Sequence, residues 1–277
     1  MNTVTPIVLE AAHVTCTVPQ PAHAAPAKSP RPRAVRPWRR GASGDARSES
    51  HAAPGKTVFR DLSFTVHGGD IVDLIGPSGS GKSTLLTTLA LLNPHATATL
   101  TLDGTDSAAM TPERWRRLVA YLPQRPTLIG ETVRDAITLP FTLKVHQRDD
   151  AGAAVREPVP DEGMIRRTLD RVGCDDIELE RPPQDLSVGQ QARVCMLRTL
   201  LTKPRVMLAD EVDAGLDDEN ADRVADILAY AAHQGMAIIR VRHRPADGRA
   251  TRTWRLADGT LTELAAHDAH SNEEVAR

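Results

Sequence analysis

The 277-residue sequence is poor in aromatic residues and has no large excess of either charge. Aromatic residues make up 3% of the chain, which leaves little surface on which nucleic-acid bases could stack. The formal net charge is −2 at pH 7, so the whole chain has no electrostatic attraction toward nucleic acid. We therefore expect no nucleic-acid partner.

Cysteine is also scarce. Cys16, Cys174 and Cys195 are widely separated, and none of them forms the Cys-x-x-Cys pattern of a zinc or redox site. The sequence therefore predicts buried, unpaired thiols in a protein of a reducing compartment.

The sequence lacks any run of about 20 apolar residues, the length that a membrane-spanning helix needs. Its first ten residues, MNTVTPIVLE, lack the charged and apolar regions of a signal peptide. We therefore expect a cytoplasmic protein whose role at a membrane, if it has one, depends on a partner.

One segment has a composition unlike the rest of the chain. Residues 19–55 are rich in proline, alanine and arginine, so they cannot supply a core and are predicted to be a flexible insert. Between Lys28 and Arg47 the basic residues are opposed only by Asp45, and Trp38 lies among them. The insert is either a solvated loop or an arm that contacts anionic lipid.

The remaining chain alternates short apolar runs with amphipathic helical patterns. The segments 7–18 and 56–66 are predicted as strands, the first of them at a sheet edge. Four apolar runs are typical of buried parallel strands: IVDLI, RLVAYLP, RVMLADE and MAIIRVRH. A more helical segment covers about 131–201. This alternation predicts an α/β fold.

The stretch GPSGSGKST (76–84) follows the strand IVDLI and opens the helix KSTLLTTLALL. It matches the phosphate-loop pattern GxxxxGK[ST], in which glycines let backbone N–H groups point at phosphate oxygens. Lys82 would add charge near the β- and γ-phosphates, and the Ser83 hydroxyl would bind Mg²⁺. The predicted phosphate-binding residues are Gly76, Pro77, Ser78, Gly79, Ser80, Gly81, Lys82, Ser83 and Thr84.

The strand RVMLADE ends in two carboxylates. An acidic pair at a strand end is usually a solvated loop, but a phosphate loop in the same chain favours a metal site. We expect Asp210 to hold Mg²⁺ and Glu211 to be the general base that activates water.

Gln124 and His243 each follow another apolar strand. The Gln124 amide could reach both the metal ion and the attacking water, and His243 could contact the γ-phosphate. Each residue alone would be interpreted as structural or exposed. The phosphate loop and the acidic pair favour the functional interpretation of both.

The stretch DLSVGQQAR places Gly189 in the first turn of a predicted helix, where a better helix former is usual. The start of this helix presents Ser187, a glycine and free backbone N–H groups. Such an end favours a bound anion, because the unpaired donors and the helix dipole both attract negative charge.

Taken in order, the phosphate loop, Gln124, LSVGQ, the acidic pair, AGLD and His243 resemble the ATP-binding cassette (ABC) ATPases. The resemblance covers nearly the whole ordered length of the chain. It implies an ABC-type P-loop NTPase with a mostly parallel core sheet, an antiparallel β edge subdomain and a helical subdomain that carries LSVGQ. ATP and Mg²⁺ are the implied cofactors.

The resemblance also implies a head-to-tail dimer, in which each ATP lies between the phosphate loop of one subunit and LSVGQ of the other. Ser187, Gly189 and Gln190 would contact the γ-phosphate held by the partner, and Asp217 of AGLD would bridge the two sites. The implied assembly is a homodimer bound to an integral membrane permease at the inner face of the cell membrane.

The expected organisation is one ATPase domain over 1–277 with the insert at 19–55, the helical subdomain at 131–201 and a flexible tail at 265–277.

Four positions depart from the usual ABC pattern. Val188 replaces a glycine of the signature, Val212 replaces the proline after the glutamate, and Arg242 replaces the threonine before the histidine. Val18 stands where the family has an aromatic residue that stacks on adenine. Either adenine binding is weaker in this chain, or Phe59 or Trp38 takes over the stacking.

The segment YLPQRPTLIGETVRDAITLPFTL (121–143) resembles more narrowly the Fet-type exporter ATPases, an iron-export subfamily. This segment contacts the membrane partner in the family. One alternative is a soluble ABC ATPase of assembly, for example in iron–sulfur cluster biogenesis, since it would share all the nucleotide motifs. A nucleic-acid regulator is a third, but the coiled-coil arms or second cassette that it would need are not in the sequence.

Overall fold

The computed structural model describes residues 8–19, 55–125, 127–147, 159–171 and 173–265. The predicted insert (19–55) and tail (265–277) lie outside the described residues except at their ends.

The secondary structure of the described residues comprises strands in two sheets and helices between them. The strands are β1 (Val8–Val18), β2 (Lys56–His67), β3 (Ile71–Ile75), β4 (Ala96–Leu102), β5 (Thr105–Asp106), β6 (Val119–Leu122), β7 (Val206–Asp210), β8 (Ala237–Val241), β9 (Arg252–Ala257) and β10 (Thr260–Leu264). The helices are α1 (Lys82–Leu89), α2 (Pro112–Leu118), α3 (Val133–Thr138), α4 (Glu162–Arg171), α5 (Val188–Leu201) and α6 (Asp218–His233).

The larger sheet has the order β10-β9-β3-β8-β7-β6, and only its β9–β10 pair is antiparallel. Every residue of β7 and β8 is buried, as expected for strands covered on both faces. The four parallel strands predicted from apolar runs are confirmed as β3, β6, β7 and β8. The strand β9, which pairs with β3, was not among them.

The smaller sheet is antiparallel and has the order β2-β1-β4-β5. The strand β1 lies between β2 and β4, so its prediction as an edge strand is wrong. The strand β4 pairs with the other edge of β1, from the Leu9–Leu102 pair to the Cys16–Ala96 pair.

The hydrophobic core lies on both faces of the larger sheet. On one face the side chains of β7 and β8 pack with α1 and the antiparallel sheet. On the other face they pack with α3, α4, α5 and α6. The predicted helical segment (131–201) therefore shares a core with the sheet, and its standing as a separate subdomain stays a prediction.

No helix of the described residues is both long and apolar enough to cross a membrane. The cysteines Cys16, Cys174 and Cys195 are buried and free, as predicted. Burial raises the pKa of Cys195 to about 11, so this thiol is protonated at neutral pH.

The two ends of the predicted insert meet in the antiparallel sheet. Val18 pairs with Lys56, and a Cβ atom on Gly55 would lie 2.7 Å from Cγ2 of Thr17. A short turn can therefore connect the two strands in place of the insert. This pairing leads to the first prediction.

Replacing residues 21–53 with a short Gly/Ser linker should preserve the fold and the expected ATPase activity. We expect Tm to change by less than about 3 °C, which corresponds to roughly 1 kcal/mol. Thermal unfolding and an ATPase assay would measure both. Loss of folding or of ATP binding would contradict the prediction and assign the insert a part in the core or in adenine stacking. A selective loss of binding to anionic liposomes at low salt would support the lipid interpretation instead.

Candidate active site

The phosphate loop (76–84) connects β3 to α1 and needs glycine at two positions. Gly76 and Gly81 have φ angles of 148° and 101°, which disfavour other residues. A Cβ atom on Gly76 would lie 2.1 Å from the carbonyl oxygen of Leu256, and one on Gly81 would lie 2.5 Å from Cγ1 of Val58. A side chain at either position would displace the loop.

The loop presents donors that suit a phosphate group. No side chain caps the N-terminus of α1, so the first N–H groups of the helix have no acceptor within it. The Ser80 hydroxyl is buried and has no hydrogen-bond partner among the described residues. Lys82 Nζ donates to the carbonyl oxygens of Gly76 at 2.8 Å and of Pro77 at 3.0 Å. These features form a cradle for an anion.

Lys82 is 6% exposed, so burial and the nearby charges both affect its protonation. Burial lowers the pKa of Lys82, while the negative charges of Glu211 and Asp210 oppose that shift. The two carboxylates therefore favour the charged ammonium group that phosphate binding needs.

Asp210 ends β7 and is 3% exposed. Its Oδ1 accepts a hydrogen bond from Ser83 Oγ at 3.1 Å, and its Oδ2 accepts one from the Tyr121 hydroxyl at 3.0 Å. Ser83 belongs to α1 and Tyr121 to β6, so three elements meet at this carboxylate. The sequence predicted the first partner and not the second.

Glu211, the next residue, lies between two other predicted site residues. Gln124 Nε2 donates to Glu211 Oε2 at 2.5 Å, and His243 Nε2 lies 2.7 Å from Glu211 Oε1. The Glu211 side chain is 20% exposed, so water can reach it. Both contacts fix the plane of the carboxylate.

The backbone of Glu211 is held in an uncommon conformation. Its φ is 50°, in the left-handed region that non-glycine residues rarely adopt. Its N–H donates to the Val241 carbonyl at 3.2 Å, and its own carbonyl accepts from Ala214 N at 3.0 Å. Backbone strain of this kind persists only where the surrounding structure stabilises the conformation, and it is common at functional sites.

A cluster of buried charges lies beside this segment. Asp73 and Arg240 are cross-strand neighbours, with Arg240 Nε 2.5 Å from Asp73 Oδ1. Arg242 Nε donates to Asp213 Oδ2 at 3.2 Å. Arg242 Nη1 also lies 2.6 Å from Asp247 Oδ2, which is close enough for an ion pair although the angles are not those of a hydrogen bond. The Arg242–Asp213 pair connects the residue before His243 with the loop after Glu211.

The LSVGQ segment forms a capped helix start. Gln190 N donates to Ser187 Oγ at 3.2 Å and Ser187 N donates to Gln190 Oε1 at 3.0 Å, which is a capping box. Gln190 Nε2 also donates to Asp176. A Cβ atom on Gly189 would lie 3.0 Å from Cδ2 of Leu216, so close packing within the chain also favours glycine there. None of these contacts reaches the phosphate loop of the same chain within the described residues.

Asp217 is the N-cap of α6. Its Oδ1 accepts from Asn220 N at 2.8 Å and its Oδ2 accepts from Asn220 Nδ2 at 2.8 Å. These hydrogen bonds, that from the backbone first, lower the pKa of Asp217. The predicted bridging residue therefore has a structural role in its own chain.

The structure excludes one of the alternatives for adenine stacking. Phe59 is fully buried and packs in the core, so its ring cannot stack on a base. Trp38, the other substitute, lies outside the described residues. Val18, in the place of the aromatic residue, is 39% exposed.

The family model for ABC transporters matches residues 59–214, more than half of the chain. The chain belongs to the ABC transporter family. It is 32% identical over 187 residues to the probable iron export ATP-binding protein FetA of Escherichia coli (strain K12), covering 67% of this chain and 78% of FetA. It is also 32% identical over 216 residues to the glutamate transport ATP-binding protein GluA of Corynebacterium efficiens, covering 74% and 83% of the two chains.

The fold agrees with this assignment. A solved structure of the ATP-binding subunit of an ABC transporter superposes with a TM-score of 0.67 at 20% identity, covering 94% of this chain and 91% of that one. The predicted ABC-type fold is confirmed. The chain is an ATP-binding subunit of an ABC transporter, and like the members of this family it hydrolyses ATP.

The predicted site residues thus form two groups. In the first group, hydrogen bonds join Ser83 of the phosphate loop to Asp210 and join Gln124 and His243 to Glu211, the next residue. The residues of LSVGQ and AGLD make their contacts elsewhere in the chain. Sequence reasoning missed Tyr121 and Asp213, and it noted Arg242 only as a departure from the family.

Proposed function

We propose that this ATPase hydrolyses Mg²⁺-bound ATP as a homodimer and powers a separately encoded integral membrane protein. It would bind that partner from the cytoplasm, at the inner face of the cell membrane. The observation that carries the catalytic part is the Glu211 carboxylate, held by both Gln124 and His243 next to Asp210 and the phosphate loop.

The oxygen atoms around Asp210 fit Mg²⁺. Ser83 Oγ and the Asp210 carboxylate are the hard oxygen ligands that this ion prefers, and Gln124 offers an amide oxygen nearby. A bound Mg²⁺ would neutralise charge on the β- and γ-phosphate oxygens. The Ser80 hydroxyl and the first N–H groups of α1 are donors without an acceptor among the described residues, and phosphate oxygens would accept hydrogen bonds from them.

Glu211 would take the proton from the water that attacks the γ-phosphate, so it is the proposed general base. Gln124 and His243 hold its carboxylate in place, and we propose that they also contact the attacking water and the γ-phosphate. Lys82 supplies positive charge opposite the phosphates.

The dimer proposal is supported by the start of α5. The Ser187 side chain accepts from Gln190 N, and Gln191 N donates to the Ser187 carbonyl at 2.9 Å. The N–H groups of Val188 and Gly189 have no acceptor inside the helix. Val188 is 80% exposed, so this helix end is open to an approaching anion. The γ-phosphate held by the partner subunit is the proposed anion, and Asp217 would bridge to that subunit.

The membrane partner would bind near a cavity of about 230 Å³ between α2, β6 and α5. Its lining includes Arg116, Arg117 and Arg198, and the exposed Leu92. Leu143, 51% exposed, accepts a backbone hydrogen bond from His146 of the lining. Three arginines beside exposed leucines fit an amphipathic segment that carries carboxylates. The segment 121–143, which resembles the Fet-type ATPases, forms part of this surface.

We further infer a Fet-type exporter. The support is that segment together with the similarity to FetA. Sequence identity alone does not identify the transported substrate, because GluA, a glutamate transport protein by name, is 32% identical as well. Both relatives are named as transport components, which favours a transporter over an assembly ATPase.

Glu211→Gln tests the proposed general base. The variant should bind ATP with near-normal affinity and hydrolyse it at least about 100-fold more slowly, because the proton acceptor is lost while the phosphate contacts remain. Nucleotide binding and steady-state ATPase assays measure the two effects. Lys82→Ala is the contrasting variant and should weaken binding itself. Normal turnover by a folded Glu211→Gln protein would exclude Glu211 as the base.

Ser187→Arg tests the site shared between subunits. The arginine should block docking of the partner's phosphate, so hydrolysis should fail while ATP affinity of the monomer stays nearly normal. Ser187→Ala separates the effect of bulk, because it loses only the hydroxyl that caps the helix, worth about 1 kcal/mol, and would contact the phosphate; its hydrolysis should fall much less than that of Ser187→Arg.

Mixing Ser187→Arg with Lys82→Ala subunits completes that test. A heterodimer of the two has one site with an intact phosphate loop facing an intact LSVGQ, and it should recover part of the activity. The proposed head-to-tail arrangement is wrong if crosslinking demonstrates heterodimers and no mixing ratio restores hydrolysis.

Copurification tests the membrane partner. The wild-type chain, expressed with the membrane protein encoded beside its gene, should copurify with it in detergent and support metal efflux in vesicles. Arg116→Glu should reduce copurification at least about tenfold, because it places like charges against the proposed carboxylates. Arg223→Glu, on the exposed face of α6, is the matched control and should copurify normally. Equal recovery of both variants would exclude this docking surface, and a wild-type chain that recruits no membrane protein would favour the assembly ATPase.

A further inference from the structure

Tyr121 makes a contact that the proposed mechanism does not use. It lies in β6, opposite Leu208 of β7, and its half-buried ring lines the cavity between α2 and α5. Its hydroxyl donates to Asp210 Oδ2 at 3.0 Å. The tyrosine therefore reaches from the cavity wall to the proposed metal carboxylate.

The Asp210 carboxylate receives two hydroxyl groups, one on each oxygen. Ser83 Oγ donates to Oδ1 and Tyr121 donates to Oδ2, while bulk water reaches only 3% of the residue surface. An ionised carboxylate has about four acceptor positions, so lone pairs remain for a metal ion or its water ligands. Two donors on opposite oxygens fix the rotation of the carboxylate plane.

An ionised carboxylate only accepts hydrogen bonds, so the Tyr121 hydroxyl is the donor in its contact with Asp210 Oδ2.

We propose that Tyr121 is a positioning residue that holds the Asp210 carboxylate in the orientation that Mg²⁺ binding requires. Partners of this kind, which orient a metal-binding side chain, commonly change metal affinity by about 10- to 100-fold when they are removed. The inference rests on the proposed Mg²⁺ site of Asp210 and Ser83, and it adds the residue that orients it.

Tyr121→Phe tests the proposal, because it removes the hydroxyl and keeps the ring in the cavity wall. We expect the affinity for Mn²⁺, measured by electron paramagnetic resonance with a non-hydrolysable ATP analogue, to fall about tenfold. Affinity for the analogue in EDTA should change less than twofold. Tyr230→Phe, the other tyrosine of the chain, is exposed on α6 and should leave both values unchanged.

A double-mutant cycle separates positioning from packing. If Tyr121 acts through Asp210, Tyr121→Phe should have no further effect on metal affinity in an Asp210→Asn background. A packing role would give the same loss in both backgrounds. Unchanged Mn²⁺ affinity in folded Tyr121→Phe, or an equal loss in EDTA, would overturn the proposal.

A second measurement uses the unmutated hydroxyl. The chain has two tyrosines, so 3-fluorotyrosine labelling gives two ¹⁹F signals, which Tyr230→Phe assigns. Addition of Mg²⁺ with the analogue should shift the Tyr121 signal, and Asp210→Asn should abolish that shift. A wild-type protein that binds Mg²⁺ without any shift contradicts the proposal for Tyr121. A wild-type protein whose nucleotide binding is indifferent to Mg²⁺ would instead contradict the proposed metal site.

Discussion

Parallel pairing of β6, β7, β8 and β3 is the constraint on which the site depends. Because the carboxyl ends of parallel strands share one edge of a sheet, the residues that follow these four strands meet there. The site combines segments that are far apart in the sequence: Gln124, Asp210, Glu211, His243 and the phosphate loop. In two of the same strands, the register partners Asp73 and Arg240 are 167 residues apart. The apolar strands thus determine where the polar chemistry lies.

Buried charges lie in the strands that lead to that edge and in the loops that follow them. Asp73 and Arg240 are register partners, and Arg242 binds Asp213 on the loop after Glu211. Breaking one member of a buried pair typically costs about 3–5 kcal/mol, because the remaining charge is left uncompensated. The pairs therefore constrain how β8 and the Glu211 loop can move relative to each other. The left-handed backbone of Glu211 is stabilised from the same two segments.

The sequence predicted the parts of the site whose chemistry demands particular residues in order. The phosphate loop, the acidic pair and four buried strands belong to this class. The strand β9 and the pairing of β4 with β1 were not predicted, because short alternating segments such as RTWRLA carry a weak signal and strand neighbours depend on distant contacts. Tyr121 was missed for a related reason: a tyrosine in a strand is usually a packing residue, and only the fold shows that its hydroxyl meets Asp210. Phe59 stayed open as an adenine-stacking candidate because the sequence does not show which way a strand residue faces, and the structure places it in the core.

The Tyr121–Asp210 hydrogen bond connects the proposed partner surface with the proposed hydrolytic site, and a second contact ends close to Gln124. Tyr121 lines the cavity and binds Asp210, while Arg198 of the same lining donates to the carbonyl of Thr127, three residues after Gln124. A partner that fills the cavity touches both side chains, so it can favour one arrangement of Asp210 and of Gln124 over another. The coupling free energy is limited by the difference between the partner's binding free energies for the two arrangements. By linkage, nucleotide binding changes the partner's affinity by the same factor. If a membrane protein binds at this cavity as proposed, it and an ATP at the phosphate loop would therefore influence each other through the Tyr121–Asp210 hydrogen bond.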